Sequence, residues 1–190
     1  SVCVHARSVA GDLSGKTVLV TGSGPIGALC VALAAEAGAA EVVVTDLQDY
    51  PLSVAAKMGA TQTINVSREA GRLAAYNADK GHFDVCFECT AAAPAIRSAI
   101  EALHPLATLV QVGVTGDVAV PLNLIVAKEL VLKGTHRVHP EFSQAVDLIN
   151  RRAVDVRPII TQTYDLAEAN DAFEIAGDRT AAVKVQLAFA

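Results

Sequence analysis

Short apolar runs alternate with amphipathic stretches along most of the 190-residue chain. The apolar runs are rich in β-branched residues, as buried strands are, and the stretches between them repeat apolar residues at helical spacing. The predicted strands cover residues 17–21, 42–45, 62–64, 85–88, 108–112 and 130–135. The predicted helices between them cover residues 25–37, 51–58, 68–78, 93–103 and 122–127. This alternation predicts a three-layer α/β fold with a doubly wound parallel sheet of six strands, the Rossmann arrangement.

The pattern changes toward the end of the chain. A helix is predicted over residues 141–151, and after Pro158 we expect a strand at 158–163, a helix at 166–176 and a last strand at 183–189. In that strand alternate apolar residues share one face. We interpret residues 1–190 as a single domain in which the segment from about residue 155 to residue 190 is a short C-terminal extension.

The turn after the first predicted strand carries three glycines in the sequence Gly22-Ser23-Gly24-Pro25-Ile26-Gly27. Gly22 allows a sharp turn, Gly24 lets the backbone approach a phosphate, and Gly27 allows close packing of the helix on the strand. Pro25 suits the first helical position because its φ is already helical. The N–H groups near Ile26 and Gly27 would face an anion with the helix dipole behind them. The segment predicts a dinucleotide pyrophosphate site; the alternative is a glycine-rich turn that binds nothing.

Asp46 ends the second predicted strand, nineteen residues beyond Gly27. A carboxylate at this position can accept hydrogen bonds from both hydroxyls of an adenosine ribose, and it repels a 2′-phosphate. No arginine or lysine occurs between Asp46 and Lys57. The sequence therefore predicts NAD rather than NADP as the cofactor.

Composition and charge exclude several classes of function. Hydrophobic residues make up 52% of the chain and charged residues 18%, which is typical of a globular protein. The net charge of −5 argues against nucleic acid and anionic membranes as partners. Glu36 and Glu41 interrupt the longest apolar run, so we expect no membrane span. The chain has four cysteines, which we interpret as reduced thiols of a cytoplasmic protein.

Several blocks of sequence resemble the medium-chain, zinc-dependent alcohol and polyol dehydrogenases. They are VLVTGSGPIG at 18–27, VVVTD at 42–46, FDVCFECT at 83–90, LVQVGV at 109–114 and ELVLKGTHR at 129–137. The resemblance implies contacts with the pyrophosphate from residues 23–26, with the ribose from Asp46, and a place for Thr90 beside the cleft. It also implies that backbone groups of two segments hold the nicotinamide carboxamide: Val112, Gly113 and Val114, and Thr135 to Arg137. Lys184 is a candidate for a phosphate contact or a solvated strand residue.

The chain departs from the family pattern at a few positions. Pro51 stands where a basic residue often lies beside the adenosine, which weakens an NADP reading further. Ala91 replaces a usual glycine after Thr90, and Leu106-Ala107 replaces a usual glycine pair. These changes affect two turns and leave the residues of the predicted site in place.

The resemblance also implies a catalytic domain that would precede Ser1 and carry zinc, its ligands and the proton relay. We therefore predict no catalytic and no metal-binding residue in this chain, and no dehydrogenase turnover from it alone. In the intact enzyme the substrate would be a small polyol or sugar acid, with oxidation of L-idonate to 5-keto-D-gluconate favoured. The extension would return toward the catalytic domain. Apolar residues 121–127 and the last strand indicate a homodimer, or a higher oligomer, formed through sheet edges.

Four other patterns have a structural interpretation that we favour. Cys86 and Cys89 form a C-x-x-C without a second ligand pair, and positions three apart in a strand face opposite sides. Tyr76 and Lys80 match a catalytic pair of short-chain dehydrogenases but fall too early in the chain. His136 and His139 lie near the predicted nicotinamide end, where loop histidines are more often solvated than catalytic. Asp165 and Glu168 are typical of a helix start, not of a catalytic carboxylate pair.

Two other classes of function remain open from the residues alone. One is a non-catalytic Rossmann module that senses NAD. The other is a methyltransferase, because Asp46 could also bind the ribose of S-adenosylmethionine, although the carboxamide-holding segments would have no role there. Within the dehydrogenase family, sorbitol, threonine and alcohol dehydrogenases remain alternatives to the sugar-acid enzyme.

Overall fold

Six parallel strands form the central sheet of the computed structural model, which describes residues 1–136 and 140–189. The spatial order β3-β2-β1-β4-β5-β6 places the crossover point between β1 and β4. The predicted doubly wound α/β fold is therefore confirmed. The strands are β1 (Thr17–Thr21), β2 (Glu41–Asp46), β3 (Gln62–Asn65), β4 (Phe83–Glu88), β5 (Leu103–Gln111) and β6 (Val131–Gly134).

Helices cover both faces of this sheet and make the three layers. Successive residues of β1 point to opposite faces: Val18 and Val20 belong to one buried cluster and Leu19 to the other. All three are fully buried, and each contributes roughly 1.5–3 kcal/mol of apolar burial. The helices packed on the Val18 face are α1 (Val2–Ala10), α2 (Pro25–Glu36), α3 (Asp49–Lys57) and α7 (Glu141–Asn150). Those on the Leu19 face are α4 (Ala70–Ala74), α5 (Ala93–Ala102) and α6 (Leu122–Ala127).

The predicted helix over residues 68–78 is wrong in its second half. Helix α4 stops at Ala74, and a 3-10 segment, Ala75–Lys80, follows it. That segment is broken at its end, where Ala78 is extended and Asp79 has a φ of +52°. Asn77 and Asp79 favour turns over helix interiors because their side chains compete for nearby backbone groups.

Strand β5 begins earlier than predicted, at Leu103 instead of residue 108. Leu103 follows α5 directly and already pairs with Phe83 of β4, after which the register shifts. The irregular part contains Leu106, which has a φ of +68° and an exposed side chain. Polar and proline residues in this stretch hide the strand pattern from a sequence analysis.

The C-terminal part forms a separate two-stranded parallel sheet. A 3-10 turn at Arg157–Ile159 precedes β7 (Ile160–Asp165), and a second turn at Leu166–Glu168 leads into α8 (Ala169–Gly177) and β8 (Lys184–Ala188). Asp165 and Glu168 form a capping box, which confirms their interpretation as a helix start. No helix among the described residues is long and apolar enough to cross a membrane.

Candidate functional site

The glycine turn connects β1 to α2 at the carboxyl edge of the sheet. The Gly22 N–H donates to the Thr45 carbonyl at 2.7 Å, and Gly22 has a φ of +84°. Gly24 is the N-cap of α2 and Pro25 its first residue, as the sequence predicted. The strand, turn and helix needed for an anion site are therefore in place.

The three glycines have different surroundings. A Cβ added to Gly27 would lie 1.8 Å from the Gly22 carbonyl oxygen, and one added to Gly22 would lie 2.8 Å from Cγ2 of Thr90. A Cβ added to Gly24 would meet no atom within 4 Å. Gly22 and Gly27 are thus required by the protein itself, whereas the space beside Gly24 is open, as it must be where a phosphate approaches the backbone.

The first turn of α2 presents its backbone to this open space. By helix geometry its first N–H groups have no partner within the helix, and they carry the positive end of the helix dipole. The Ile26 side chain is partly exposed beside them. The Ser23 side chain, in contrast, is fully buried, and its hydroxyl has no hydrogen-bond partner among the described residues. The buried Ser23 side chain is therefore not part of the surface that a pyrophosphate would meet, whereas Gly24 and Pro25 line the open space.

Asp46 lies at the end of β2, next to the glycine turn. Its side chain is only 2% exposed. Oδ2 accepts the Ser23 N–H at 2.8 Å, and Oδ1 accepts the N–H groups of Leu47 at 2.7 Å and Gln48 at 3.1 Å. The carboxylate therefore holds the turn and the end of its own strand together, and it is fixed in position for a ligand.

Arg179 is a site residue that sequence reasoning missed. It lies in the loop between α8 and β8, 133 residues from Asp46, and its Nη2 donates to Oδ2 of Asp46 at 2.9 Å and to Oδ1 at 3.2 Å. The Arg179 side chain is 60% exposed. No local signal could have found this contact, because it depends on how the C-terminal segment folds back over the sheet edge.

A cavity of about 820 Å³ opens over this edge. Gly24 and Asp46 lie on one side of it, Thr90 and Arg179 border it as well, and apolar residues such as Val66 and Leu73 complete its wall. A polar rim beside an apolar wall suits a ribose and a flat heterocyclic base. The cavity lies at the crossover between β1 and β4, where doubly wound folds bind their ligands.

Glu88, at the end of β4, is a second residue that sequence reasoning missed. It is fully buried and accepts hydrogen bonds from the hydroxyls of Thr21 and Thr90, and from the N–H groups of Thr90 and Ala91 at 2.9 Å each. Gln111 Nε2 donates to it at 2.5 Å. The carboxylate is satisfied by the protein, so its role is to fix the ends of β1, β4 and β5 to one another.

The predicted nicotinamide segments lie at the ends of β5 and β6, beside a second cavity of about 590 Å³. Gly113, Val114 and Thr135 line it, whereas Val112 does not. The N–H groups of Val112 and Gly113 both donate to the Glu88 carbonyl at 2.8 Å.

The Thr135 hydroxyl is buried and has no partner among the described residues, which leaves it available to a ligand. Arg137 and His139 lie outside the described residues, and His136 is exposed at the rim of the cavity.

Ala91, which stands where the family usually has glycine, adopts a backbone conformation that favours glycine. Its φ is +59°, in the left-handed region. A Cβ added to Gly113 would lie 2.6 Å from the Ala91 backbone nitrogen. Gly113 therefore lies close against the Ala91 backbone, in a place where a side chain at position 113 would not fit.

The other candidate patterns are structural. Cys86 and Cys89 belong to clusters on opposite faces of the sheet, and burial raises the pKa of the Cys86 thiol. The Tyr76 hydroxyl donates to Gln62 at 3.3 Å, and burial raises its pKa, which is opposite to what a catalytic tyrosine needs. Lys184 borders a different cavity, between α1, α2 and the C-terminal strands. The described residues include no cluster of three or more His, Cys, Asp or Glu that could hold a metal ion.

Known proteins resemble this chain in sequence. Residues 25–151 match a family model described as zinc-binding dehydrogenase. The L-idonate 5-dehydrogenase (NAD(P)(+)) of Escherichia coli K12 is 35% identical over 190 residues, which are all of this chain and 55% of that protein. The sorbitol dehydrogenase of Bos taurus is 35% identical over 178 residues, 92% of this chain and 50% of that protein. The chain thus spans about half the length of the curated relatives it matches.

Solved structures share the fold. The crystal structure of the E. coli L-idonate 5-dehydrogenase has a TM-score of 0.92 over 99% of this chain and 54% of that one, at 35% identity. A zinc-binding dehydrogenase from Sinorhizobium meliloti 1021, solved with NADP, has a TM-score of 0.84 over 98% of this chain and 55% of that one, at 28% identity. Because one family model covers most of the chain and a relative matches all of it, the chain belongs to the zinc-binding dehydrogenases.

Proposed function

We propose that the chain is the nicotinamide dinucleotide-binding part of a dehydrogenase that oxidises a CH–OH group. The observation that carries this proposal is the open space beside Gly24 next to the buried, fixed carboxylate of Asp46. The open space can take a ligand phosphate, and the carboxylate suits a ribose diol. The backbone of residues 23–26 would lie against the pyrophosphate.

NAD is the preferred dinucleotide in this proposal. The Asp46 carboxylate is held by three backbone N–H groups and cannot move away from a 2′-phosphate. Pro51, which is buried in α3, supplies no positive charge there. The relatives do not decide the matter, since the E. coli protein is named for both cofactors and the S. meliloti structure contains NADP.

The nicotinamide ring would lie over the second cavity. When bound, this cofactor supplies the hydride chemistry of the reaction. The residues of this chain would orient the ring: the Thr135 hydroxyl, which has no partner among the described residues, and backbone groups of Gly113 and Val114 would hold the carboxamide. Val112, whose N–H donates to the Glu88 carbonyl, and Arg137 are included on the family resemblance. Thr90 would border the cleft between the two halves of the cofactor. Fixing the carboxamide determines which face of the ring meets the substrate.

The substrate of the intact enzyme is a polyol or sugar acid in this proposal, with L-idonate, oxidised to 5-keto-D-gluconate, the first candidate. The support is the match to the E. coli enzyme over the whole chain. A sorbitol dehydrogenase is as similar in sequence, so sorbitol is the second candidate. The catalytic domain, with its zinc and proton relay, would precede Ser1, and residues from about 155 to 190 would return toward it.

Two further parts of the proposal concern the setting of the protein. β6 is the outer strand of the sheet and exposes Val131 and Leu132, while Leu122 and Val126 of α6 are exposed near it. An exposed apolar edge supports pairing with a second copy, as a homodimer or larger assembly. All four cysteines are unpaired, which supports a cytoplasmic location.

Calorimetric titration of the 190-residue chain with NAD, NADP and S-adenosylmethionine tests the cofactor assignment. We expect NAD to bind more tightly than NADP, because of Asp46, and S-adenosylmethionine not to bind. Asp46→Ala should remove the preference for NAD. Equal or tighter binding of NADP by the unaltered chain would contradict the role given to Asp46, and binding of S-adenosylmethionine alone would contradict the proposal.

Activity assays test the division of labour between domains. We expect no steady NADH formation from L-idonate or sorbitol with the 190-residue chain, even when it binds NAD. Sustained turnover by the purified chain, with contaminating enzyme excluded by a Gly24→Val preparation made in parallel, would show that the catalytic groups lie within it.

A further inference from the structure

The hydrogen-bonding capacity of the Asp46 carboxylate is already filled by the protein. Its two oxygens receive three backbone N–H groups and two contacts from the Arg179 guanidinium. A carboxylate offers about four acceptor sites. A ribose diol that is to donate to Asp46 must therefore displace one of these donors.

Arg179 is the donor that can leave. The N–H groups of Ser23, Leu47 and Gln48 belong to the backbone of the glycine turn and the end of β2, and they cannot withdraw without breaking the turn. The Arg179 side chain is 60% exposed and comes from a surface loop. Because the Arg179 side chain is mostly in solvent, water can hydrate the guanidinium that leaves, while the ribose hydroxyls replace its hydrogen bonds to the buried Asp46 carboxylate.

The released guanidinium stays at the ribose end of the cavity. Its loop is fixed by Asp178, whose Oδ1 accepts the Thr180 N–H at 2.8 Å and the Thr180 hydroxyl at 2.6 Å. Arg179 also borders the cavity beside Asp46 and Leu47. A guanidinium at this point is well suited to a phosphate, because its planar donors match phosphate oxygens.

The nearby Arg68 differs in its position. It pairs at 2.5 Å with Asp49, three residues beyond Asp46, but it is 72% exposed and does not line the cavity. Its loss changes the net charge by the same amount as the loss of Arg179. Arg68 therefore provides a matched control for effects of overall charge.

We propose that Arg179 is a specificity-determining residue that yields Asp46 to the ribose hydroxyls of NAD and pairs with the 2′-phosphate of NADP. It makes the site tolerate NADP despite Asp46. This proposal rests on the proposed function, since it requires dinucleotide binding at this site. It assigns the tolerance to a residue from the C-terminal segment, and not to the loop after β2 where basic residues are absent.

Calorimetric titration of the 190-residue chain and its variants tests the proposal. The ligands are NAD and NADP, with adenosine 5′-monophosphate and adenosine 2′,5′-bisphosphate as a pair that differs only in the 2′-phosphate. Arg179→Ala should weaken binding of NADP and of the bisphosphate about tenfold, as for loss of one charge-assisted contact. Its affinity for NAD should stay the same or rise up to about threefold, because a competitor for Asp46 is gone. Arg179→Lys should recover part of the loss, and Arg68→Ala should leave the ratio of the two affinities unchanged.

Other results would overturn the proposal. These are an equal loss of NAD and NADP affinity in Arg179→Ala, an unchanged ratio, the same shift in Arg68→Ala, or no measurable NADP binding by the unaltered chain. In each case NAD binding by the unaltered chain would leave the proposed function standing. If the unaltered, folded chain binds no dinucleotide, both the proposed function and the role of Arg179 are wrong. Thermal unfolding of each variant confirms that a lost affinity does not reflect a lost fold.

Discussion

The two ends of the central sheet each contain a carboxylate that joins neighbouring strands, but the hydrogen-bond partners of the two carboxylates differ in kind. At the amino end, Asp84 of β4 accepts the Thr17 N–H at 2.7 Å, the Thr17 hydroxyl at 2.9 Å and His104 at 3.0 Å. Burial opposes the charged form of Asp84, but the hydrogen bonds from His104 and Thr17 outweigh it and hold its pKa well below the usual range. At the carboxyl end, Asp46 receives backbone donors together with one exposed, exchangeable side chain.

The difference separates structural polar groups from functional ones. The partners of Asp84 are Thr17 of β1 and His104 of β5, so its hydrogen bonds stabilise the pairing of β4 with both neighbouring strands. At the opposite end, the space beside Gly24 is empty and the Thr135 hydroxyl has no partner among the described residues. The carboxyl edge therefore offers a ligand an open space, a hydroxyl without a protein partner and an ion pair that can exchange, at the edge where doubly wound folds bind their ligands.

Gly24→Val should produce the largest effect and should confine it to the carboxyl end. Gly24 has an ordinary φ of −61° and open space around its Cβ position, so the fold should tolerate valine. The added side chain would occupy the pyrophosphate space and lower NAD affinity on the order of 100-fold, equivalent to about 2.7 kcal/mol. Titration calorimetry measures the affinity, and thermal unfolding measures the stability.

Two glycine variants control that experiment. Gly71 also has open space, but it lies in α4 and does not line the cavity, so Gly71→Val should leave NAD affinity unchanged. Gly27→Ala should instead damage the fold, because its Cβ would meet the Gly22 carbonyl oxygen at 1.8 Å. If the Gly24→Val protein is folded and still binds NAD with unchanged affinity, the pyrophosphate does not bind at this turn.

Asp84→Ala should weaken strand pairing at the amino end of the sheet and leave NAD binding at the carboxyl end unchanged. It leaves the Thr17 N–H without its charged acceptor and should lower the free energy of unfolding by about 2 kcal/mol at pH 7. Because the pKa of Asp84 is lowered in the folded protein, its contribution is complete above the unfolded value of about 3.9. The stability difference between the two proteins should therefore shrink as the pH falls below about 4.

Denaturant unfolding from pH 7 to pH 3 measures this difference, with NAD titration at pH 7 as the test of the binding site. An NAD affinity that falls with Asp84→Ala in folded protein would contradict the separation of the two edges. A stability difference that grows toward acid pH would contradict the direction of the pKa shift.

Leu106→Gly should produce the smallest effect, a gain in stability. Leu106 has a φ of +68°, where a non-glycine residue is strained by roughly 1–2 kcal/mol, and its side chain is 68% exposed and so loses little packing. Glycine costs about 0.5–1 kcal/mol in unfolded-chain entropy, which leaves a net gain of about 0.5 kcal/mol. Thermal unfolding measures it, and Leu122→Gly, which weakens the exposed helix α6, should be destabilising.

Much of the fold could be predicted because its signals are local. The run of residues in β1, the glycine turn and Pro25 each state their structure within a few positions, and the structure has β1 and the start of α2 where they were predicted. The part of the candidate site around the glycine turn has local signals as well: Gly22, Gly24, Gly27 and Asp46 do converge on one edge of the sheet.

The rest depends on contacts between distant segments. Arg179 reaches Asp46 only because the loop after α8 folds over the edge of the sheet, and nothing near Arg179 in the sequence indicates this. Glu88 was predicted only as the end of a strand, although its carboxylate is completely buried. The predicted end of the helix over residues 68–78 was wrong because apolar spacing continues past the point where Asn77 and Asp79 turn the chain.

The hydrogen bonds of Glu88 have a mechanical consequence. Thr21 and Thr90, which donate to this carboxylate, line the cavity of about 820 Å³. Gln111, which donates to it as well and also to the Gly113 carbonyl at 2.9 Å, lines the cavity of about 590 Å³. The walls of the two cavities are therefore joined through one buried side chain, and a shift of either wall would strain the hydrogen bonds of Glu88. A ligand that occupied both cavities would therefore meet two walls whose spacing is fixed by a single buried side chain.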